Sequence, residues 1–449
     1  MLRRMTSKPI ISIVGTTGVG KSQFSIDLAK AINGEIINAD SMQIYKKLDQ
    51  ITNKHPLEER SGIPHHIMDY VSWDEDYHIH KFSQDAQKSI DDIHNRGKVP
   101  IVIGGTHYYL QTLLFNNKTL DDSNKTLKEL TKEQLDILDG PVDVLFKTLE
   151  EADPIVAKKF HPQDHRKLRR ALEIYYTRGE KPSEIYHEQK LDELESSSLK
   201  YNTLFFWVYC DPDVLNERLD VRVDKMMAQG AIDEIKEMYD FYKDNKKDES
   251  SCTSGIWQVI GFKEFLPWLE NNQVDEKQFK EGIERMKIRT RQYAKYQVKW
   301  IKKSLITELD KESAFDYVNG GKLYILNATD LNVWHQNVDD IGIQIAKEFL
   351  SNGANGVTLP QAPPELHEFF TKKSTNQSNR VLESQENWKH YTCEICKDKQ
   401  GKPLVAVGDH SWNVHIQSRR HRKNEEGIKK RKHNEEMIRL KKLKEASSE

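Results

Sequence analysis

Eight consecutive residues, Gly15-Thr16-Thr17-Gly18-Val19-Gly20-Lys21-Ser22, carry the chemistry most readily recognised in this chain. They fit G-x-x-x-x-G-K-[ST], in which glycines let backbone N–H groups wrap a phosphate, the lysine adds a positive point charge and the hydroxyl reaches a magnesium ion. The apolar run Ile10–Val14 before them reads as a buried parallel strand. The stretch Gln23–Ile32 after them, with Phe24, Ile26, Leu28, Ala29 and Ile32 at helical spacing, reads as a helix. The loop thus sits where a helix N-terminus faces an anion. It implies a bound di- or triphosphate, and by itself says nothing of hydrolysis.

Two further segments belong beside this loop, because parallel sheets place ligands beyond the carboxyl ends of their strands. Asp40-Ser41-Met42-Gln43-Ile44-Tyr45 closes the next strand, and Asp40 there is a magnesium ligand, a general base or a turn-capping residue. A third strand ends Ile101-Val102-Ile103-Gly104-Gly105-Thr106. Nucleotide-hydrolysing relatives of such loops carry a magnesium-supporting aspartate in this region. Glycines and a threonine in its place argue against a motor or switch GTPase and leave a small kinase or a non-hydrolytic group transferase. The two glycines permit close approach of the chain to a ligand.

These motifs need a scaffold. Strand-like segments at Ile10–Val14, Glu35–Ala39, Val99–Ile103 and Thr203–Tyr209 alternate with helical ones, predicting an α/β fold around a parallel sheet like that of P-loop NTPases. Residues 110–201 show helical patterning and no strand, and read as an inserted helical subdomain. A single helix is expected from Val214 to about Tyr242, a loop over 244–251, and another helix over Gln278–Lys303. The organisation expected is a catalytic domain over 1–350, a Ser-, Asn-, Pro- and Gln-rich linker over 351–388, a finger over 389–425 and a basic tail over 426–449. Lys+Arg (68) and Asp+Glu (70) nearly cancel, but Arg419–Lys444 holds 12 basic and 4 acidic residues, a local charge of +8. Four cysteines exclude a disulfide framework, and no apolar run approaches the roughly 18 residues that span a bilayer. The basic, acid-free start Met1–Lys8, with a second methionine at Met5, raises mitochondrial targeting as an alternative to a cytoplasmic location.

In its motifs and their order the chain closely resembles the tRNA dimethylallyltransferases, also called tRNA isopentenyltransferases. The resemblance runs from Ile10 to about Lys303 through the phosphate loop, Asp40-Ser41-x-Gln43-x-Tyr45, Gly62-Ile63-Pro64-His65-His66-x-x-Asp69 and Gly104-Gly105-Thr106. It continues with Asp153-Pro154, His161-Pro162-x-Asp164, Arg170-Ala171-Leu172-Glu173, Ile260-Gly261-Phe262-Lys263 and Thr290-Arg291-Gln292-x-Ala294-Lys295-x-Gln297. One departure stands at Ile51-Thr52-Asn53-Lys54-His55-Pro56, where many bacterial members have Gly-Thr-Ala-Lys-Pro.

The resemblance implies transfer of a dimethylallyl group from dimethylallyl diphosphate to N6 of the adenosine 3′ of the anticodon. It makes Asp40 the base, Thr106 a contact at the reacting centre, and Lys21 and Arg222 the cations on the diphosphate, with Gly15 to Ser22 as its cradle and Mg²⁺ near Ser22. It sets Gln43 against the target adenine, where a bidentate amide contact is chemically natural. Ser41, Met42, Lys263, Arg291 and the basic run Arg166, Lys167, Arg169 and Arg170 are implied contacts to tRNA. His65 and His66 are expected to be structural. Near absence of acids after Glu284 and the interleaved Tyr293, Tyr296 and Trp300 favour phosphate contact along the helix to Lys303.

The tail offers a second metal. Cys393-x2-Cys396 and His415-x5-His421 supply two thiolates and two imidazoles, the set for a structural zinc, with His410 as a substitute ligand. Their 18-residue spacer exceeds the usual dozen or so. The basic run Lys429–Lys432 adds tRNA affinity, serves as a nuclear address or is simply solvated. The partners expected are the tRNA anticodon stem-loop and dimethylallyl diphosphate, with no membrane and a monomeric chain. The rival readings are an adenylate prenyltransferase or nucleotide kinase acting on a free nucleotide, and an RNA-binding protein with a vestigial loop.

Overall fold

In the computed structural model, the described residues are 8–116, 128–247, 249–371, 388–398 and 401–446. They form two units, Met1–Thr119 with Ser196–Lys372, and Leu120–Glu195 with Lys373–Glu449.

The first unit is built on a six-stranded, all-parallel sheet: β1 (Pro9–Gly15), β2 (Gly34–Asn38), β3 (His65–His66), β4 (Val99–Ile103), β5 (Asn202–Tyr209) and β6 (Gly320–Asn327), in the order β3-β2-β4-β1-β5-β6. The central strands are buried on both faces, which is why they read as continuous apolar runs. Helices α1 (Lys21–Ile32), α2 (Ile79–Asn95) and α3 (His107–Leu114) follow β1, β3 and β4. The four strands expected from sequence are present, and β3 and β6 add to them. β3 is only two residues long and leaves no pattern to read. β6 carries a readable signal, Leu323-Tyr324-Ile325-Leu326 behind two glycines.

The expected helix from Val214 to Tyr242 is two helices, α9 (Pro212–Ala228) and α10 (Ala231–Asp244). Gly230 breaks it with φ +99°, a conformation that ends helices. Helices α11 (Phe262–Glu270) and α12 (Glu276–Trp300) follow, and α12 continues into a π-helical turn over Ile301–Leu305. The linker expected from 351 is not one at its start: Ala354, Ala362 and Leu366 are buried in the first unit's core, because apolar residues punctuate the polar stretch. Its remainder over 372–387, the start up to Ser7 and the last three residues lie outside the described residues.

The second unit holds α4 (Lys132–Leu138), α5 (Val142–Ala152), α6 (Pro154–Lys159), α7 (His165–Arg178) and α8 (Pro182–Glu195) around a small core that includes Leu138, Leu145, Leu149, Leu168 and Leu172. The inserted region is narrower than 110–201, since α3 and Ser196–Tyr201 belong to the first unit. Asp153-Pro154 works as a helix start: Asp153 caps α6 at Val156 N (3.3 Å) and also accepts from Ser183 N (2.7 Å). The finger is not a separate module. Its hairpin, β7 (His390–Lys397) with β8 (Pro403–Val407), meets these helices through His161 Nε2 and Val405 O (3.1 Å), Lys402 and Asp143 (3.2 Å), and the rings of Phe146 and His390.

Glu35 on β2 is buried, yet Lys98 (2.8 Å), His66 (2.7 Å) and Arg96 (2.6 Å) all bond its carboxylate. This gives His66 the structural role expected of it. Burial pushes the Glu35 pKa up, but the three bonds outweigh it and hold the group down to about 2. Its contribution is therefore complete above the unfolded value and is lost as pH falls toward 2. Urea unfolding of the wild type and Glu35→Gln should differ by about 1–2 kcal/mol near neutrality, with exposed partners discounted, and the gap should close between about pH 5 and pH 2. A gap that stays constant with pH would contradict the ion cluster.

Candidate functional site

The ends of β1, β2 and β4 converge on a cleft of about 330 Å³. On one side the phosphate loop contributes Thr17, Gly18, Gly20, Lys21 and Ser22. Gly15, Thr16 and Val19 of the expected cradle lie behind it: Thr16 and Val19 are buried, and a Cβ on Gly15 would stand 2.6 Å from Val208 O. Gly20 has φ +92°, and the Trp334 ring fills the space a side chain would need, 2.4 Å from where its Cβ would stand. Lys21 Nζ donates to Thr16 O (2.7 Å).

Asp40, just past β2, lines the cleft beside Lys21 and Arg222. Its Oδ1 accepts from Met42 N (3.0 Å), and its own N–H is held by Asn38 Oδ1 (3.2 Å). Burial raises the Asp40 pKa, and the Met42 amide with the charges of Lys21 and Arg222 only partly offset that. Burial lowers Lys21 to about 8, with Asp40 opposing and Arg222 assisting, and lowers Arg222 to about 10 against Asp40. Two cations and one carboxylate thus surround space suited to an anion. The neighbouring arginine is distinguished by its bonds: Arg218 donates to Ala328 O (2.8 Å) and Thr329 O (2.5 Å), a structural task.

Thr106 closes the turn after β4. Its Oγ1 accepts from Ser41 N (2.9 Å) and donates to Ser41 Oγ (3.0 Å), which ties the Asp40 loop to the Gly104–Gly105 turn. A Cβ on Gly104 would lie 2.3 Å from the Ala39 backbone, so only glycine lets these strands end side by side. Gln43 Nε2 donates to both Thr52 O and Asn53 O (3.1 Å each). With both amide hydrogens engaged, the side chain offers its oxygen rather than the bidentate pair expected from sequence. The loop that departs from the bacterial pattern is pinned by Lys54, which is buried and bonds Tyr45 O (2.8 Å), Asp69 (2.6 Å) and Asp49 (3.1 Å).

Three further residues in the cleft wall, His55, His65 and Gln297, are not assigned to it by the sequence motifs. His65, expected to be structural, bonds Ile63 O through Nδ1 (2.8 Å), and burial holds its pKa down to about 4, so it is a neutral liner. Of the residues assigned to tRNA, Lys263 is exposed on α11, while Arg291 on α12 is ion-paired with Asp220 on α9. A second pair, Lys287 with Asp224 (2.8 Å), joins the same helices. In the other unit Arg166 and Lys167 are exposed at the start of α7, Arg169 meets Asp139 (2.9 Å) and Arg170 meets Glu173 (3.1 Å).

Cys393, Cys396, His415 and His421 bring one ligand atom each within 4.8 Å of one another. Cys393 Sγ and Cys396 Sγ lie 3.5 and 3.7 Å from His421 Nδ1, which is 3.2 Å from His415 Nε2. Tetrahedral bonds of about 2.0–2.3 Å give edges of about 3.3–3.8 Å, and these three separations lie close to that range. His410 is not among them.

The family model described as IPP transferase matches residues 43–304. The tRNA dimethylallyltransferase of Saccharomyces cerevisiae is 49% identical over 420 residues, covering 93% of this chain and 92% of that one. The human tRNA dimethylallyltransferase is 32% identical over 92% of this chain and 85% of its own. A solved structure of a eukaryotic dimethylallyltransferase acting on tRNA superposes with TM-score 0.82 at 48% identity, covering 96% of this chain and all of that one. No helix of the described residues is long and apolar enough to cross a membrane.

Proposed function

The chain belongs to the tRNA dimethylallyltransferases, the IPP transferase family, and on that footing we propose that it transfers the dimethylallyl group of dimethylallyl diphosphate to N6 of the adenosine 3′ of the anticodon. The observation that carries the reading is the convergence of Lys21, Arg222 and Asp40 on one cleft beside the Gly104–Gly105 turn. Loop amides, Lys21 and Arg222 hold the diphosphate and stabilise the charge it gains as the C1–O bond breaks. The adenine nitrogen, a poor nucleophile because its lone pair is delocalised into the ring, attacks the allyl carbon. Asp40 takes the N6 proton as the new C–N bond forms, and a carboxylate whose pKa burial has raised is the stronger base for it. Ser22 lines the cleft at the first turn of α1, where its hydroxyl and the diphosphate oxygens suit Mg²⁺, which would add positive charge at the leaving group.

To reach this cleft the base must leave its loop stack, with Thr106, Ser41, Met42 and the Gln43 oxygen on its path. Lys263, Arg291 and the exposed start of α7 supply phosphate contacts, and the Cys2His2 group binds a structural zinc. The chain works as a monomer in the cytoplasm. Incubating purified protein with dimethylallyl diphosphate and either undermodified tRNA or AMP tests the reading. Prenylated tRNA with inert AMP is expected, and the reverse result would make it a free-nucleotide enzyme.

A further inference from the structure

Gln297 on α12 is 1% exposed, and both ends of its amide are used. Its Oε1 accepts from Thr17 N in the phosphate loop (2.8 Å), while its Nε2 donates to Gly105 O in the turn after β4 (3.1 Å). Tyr293, one helical turn earlier, donates to the same carbonyl (2.9 Å). Gly105 is where the site's parts meet: a Cβ there would lie 2.6 Å from Gln297 Nε2, 3.3 Å from Asp40 Oδ2 and 3.4 Å from Tyr293 OH. A methyl group at Gly105 would therefore displace the Gln297 amide, and Gln297 is the link across the cleft wall.

We propose that Gln297 is a positioning residue that fixes the separation between the diphosphate held by the loop and the acceptor beside Asp40. This rests on the prenyl-transfer reading and assigns the α12 glutamine a task within it. The chemistry of the two contacts demands a carboxamide. Thr17 N requires an acceptor and Gly105 O requires a donor, so an ionised glutamate satisfies one and repels the other. A protonated glutamate satisfies both. Carbon and oxygen of the bond that breaks are set by the loop, nitrogen and proton by the turn, and displacement of one against the other by about 1 Å costs roughly 10²-fold in rate.

The test compares Gln297→Leu, Gly105→Ala and Gln297→Glu with the wild-type chain on undermodified tRNA. Folding is followed by thermal melts and tRNA affinity by filter binding. Gln297→Leu and Gly105→Ala should remain folded, keep tRNA affinity within about threefold and lose about 10²-fold in kcat. For Gln297→Glu the ratio of its kcat to wild type should rise as pH falls from about 8 to 6, a dependence that packing loss alone does not produce. Folded variants with near wild-type kcat, or a Glu-to-wild-type ratio flat with pH, would overturn the assignment and leave the family reaction standing. A wild-type chain inert toward tRNA would overturn both.

Discussion

Replacing Asp40 with alanine or asparagine is expected to lower turnover by about 10²–10⁴-fold while tRNA binding is retained, the magnitude lost with a general base. Asparagine keeps the size and can still accept from Met42 N, so its loss isolates the proton acceptor from local structure. The wild-type rate carries a second mark of the same group. The base is the ionised carboxylate, and burial has raised its pKa, so activity should climb with pH through a limb lying above the ordinary carboxylate range. The asparagine variant should lack that limb. Single-turnover transfer measured across pH with saturating tRNA reads both effects, and near wild-type turnover in either variant would remove Asp40 from the chemistry.

The second large effect is expected at the other end of the chain. Among the described residues of the finger, Cys393, Cys396 and Ala406 are the buried ones, so its interior is essentially the ligand set. Structural zinc sites of this kind draw about 10–16 kcal/mol from the metal, and that is folding energy. The double substitution Cys393→Ser, Cys396→Ser should therefore unfold the hairpin and the helix Asp409–Ile416, visible as rapid proteolysis there, with Mg²⁺ still supplied. Affinity for tRNA should be lower at low salt and fall less steeply with salt concentration, since the basic helix Arg419–Ala446 loses its anchor and fewer phosphates are neutralised, while kcat at saturating tRNA stays within a few fold. A finger that resists proteolysis without its thiolates, or a kcat that collapses, would contradict this division of labour.

Much of the site is legible in the sequence because its parts are local. The phosphate loop, Asp40 and the Gly104–Gly105–Thr106 turn are short strings that terminate strands, and parallel topology alone brings those ends together. What escapes depends on long-range pairing. Nothing in a string reveals that Gln297 reaches Thr17, 280 residues away, or that His161 meets Val405 across 244. Arg218 and Arg222 are indistinguishable as helix charges until the carbonyls at the end of β6 claim the first. The expected continuous helix from Val214 fails at Gly230, a stop signal present in the sequence but outweighed by the helical composition around it. The finger reads as detached because the residues it packs on lie in the insertion, far away in sequence.

All of these assignments depend on a phosphate loop that grips a leaving group instead of spending a nucleotide. The most direct check is stoichiometry: purified chain, undermodified tRNA, labelled dimethylallyl diphosphate and Mg²⁺, with no nucleoside triphosphate present. One diphosphate released for each N6-prenylated adenosine, with no orthophosphate formed, is the result expected. A requirement for ATP or GTP, or orthophosphate appearing in step with product, would contradict it.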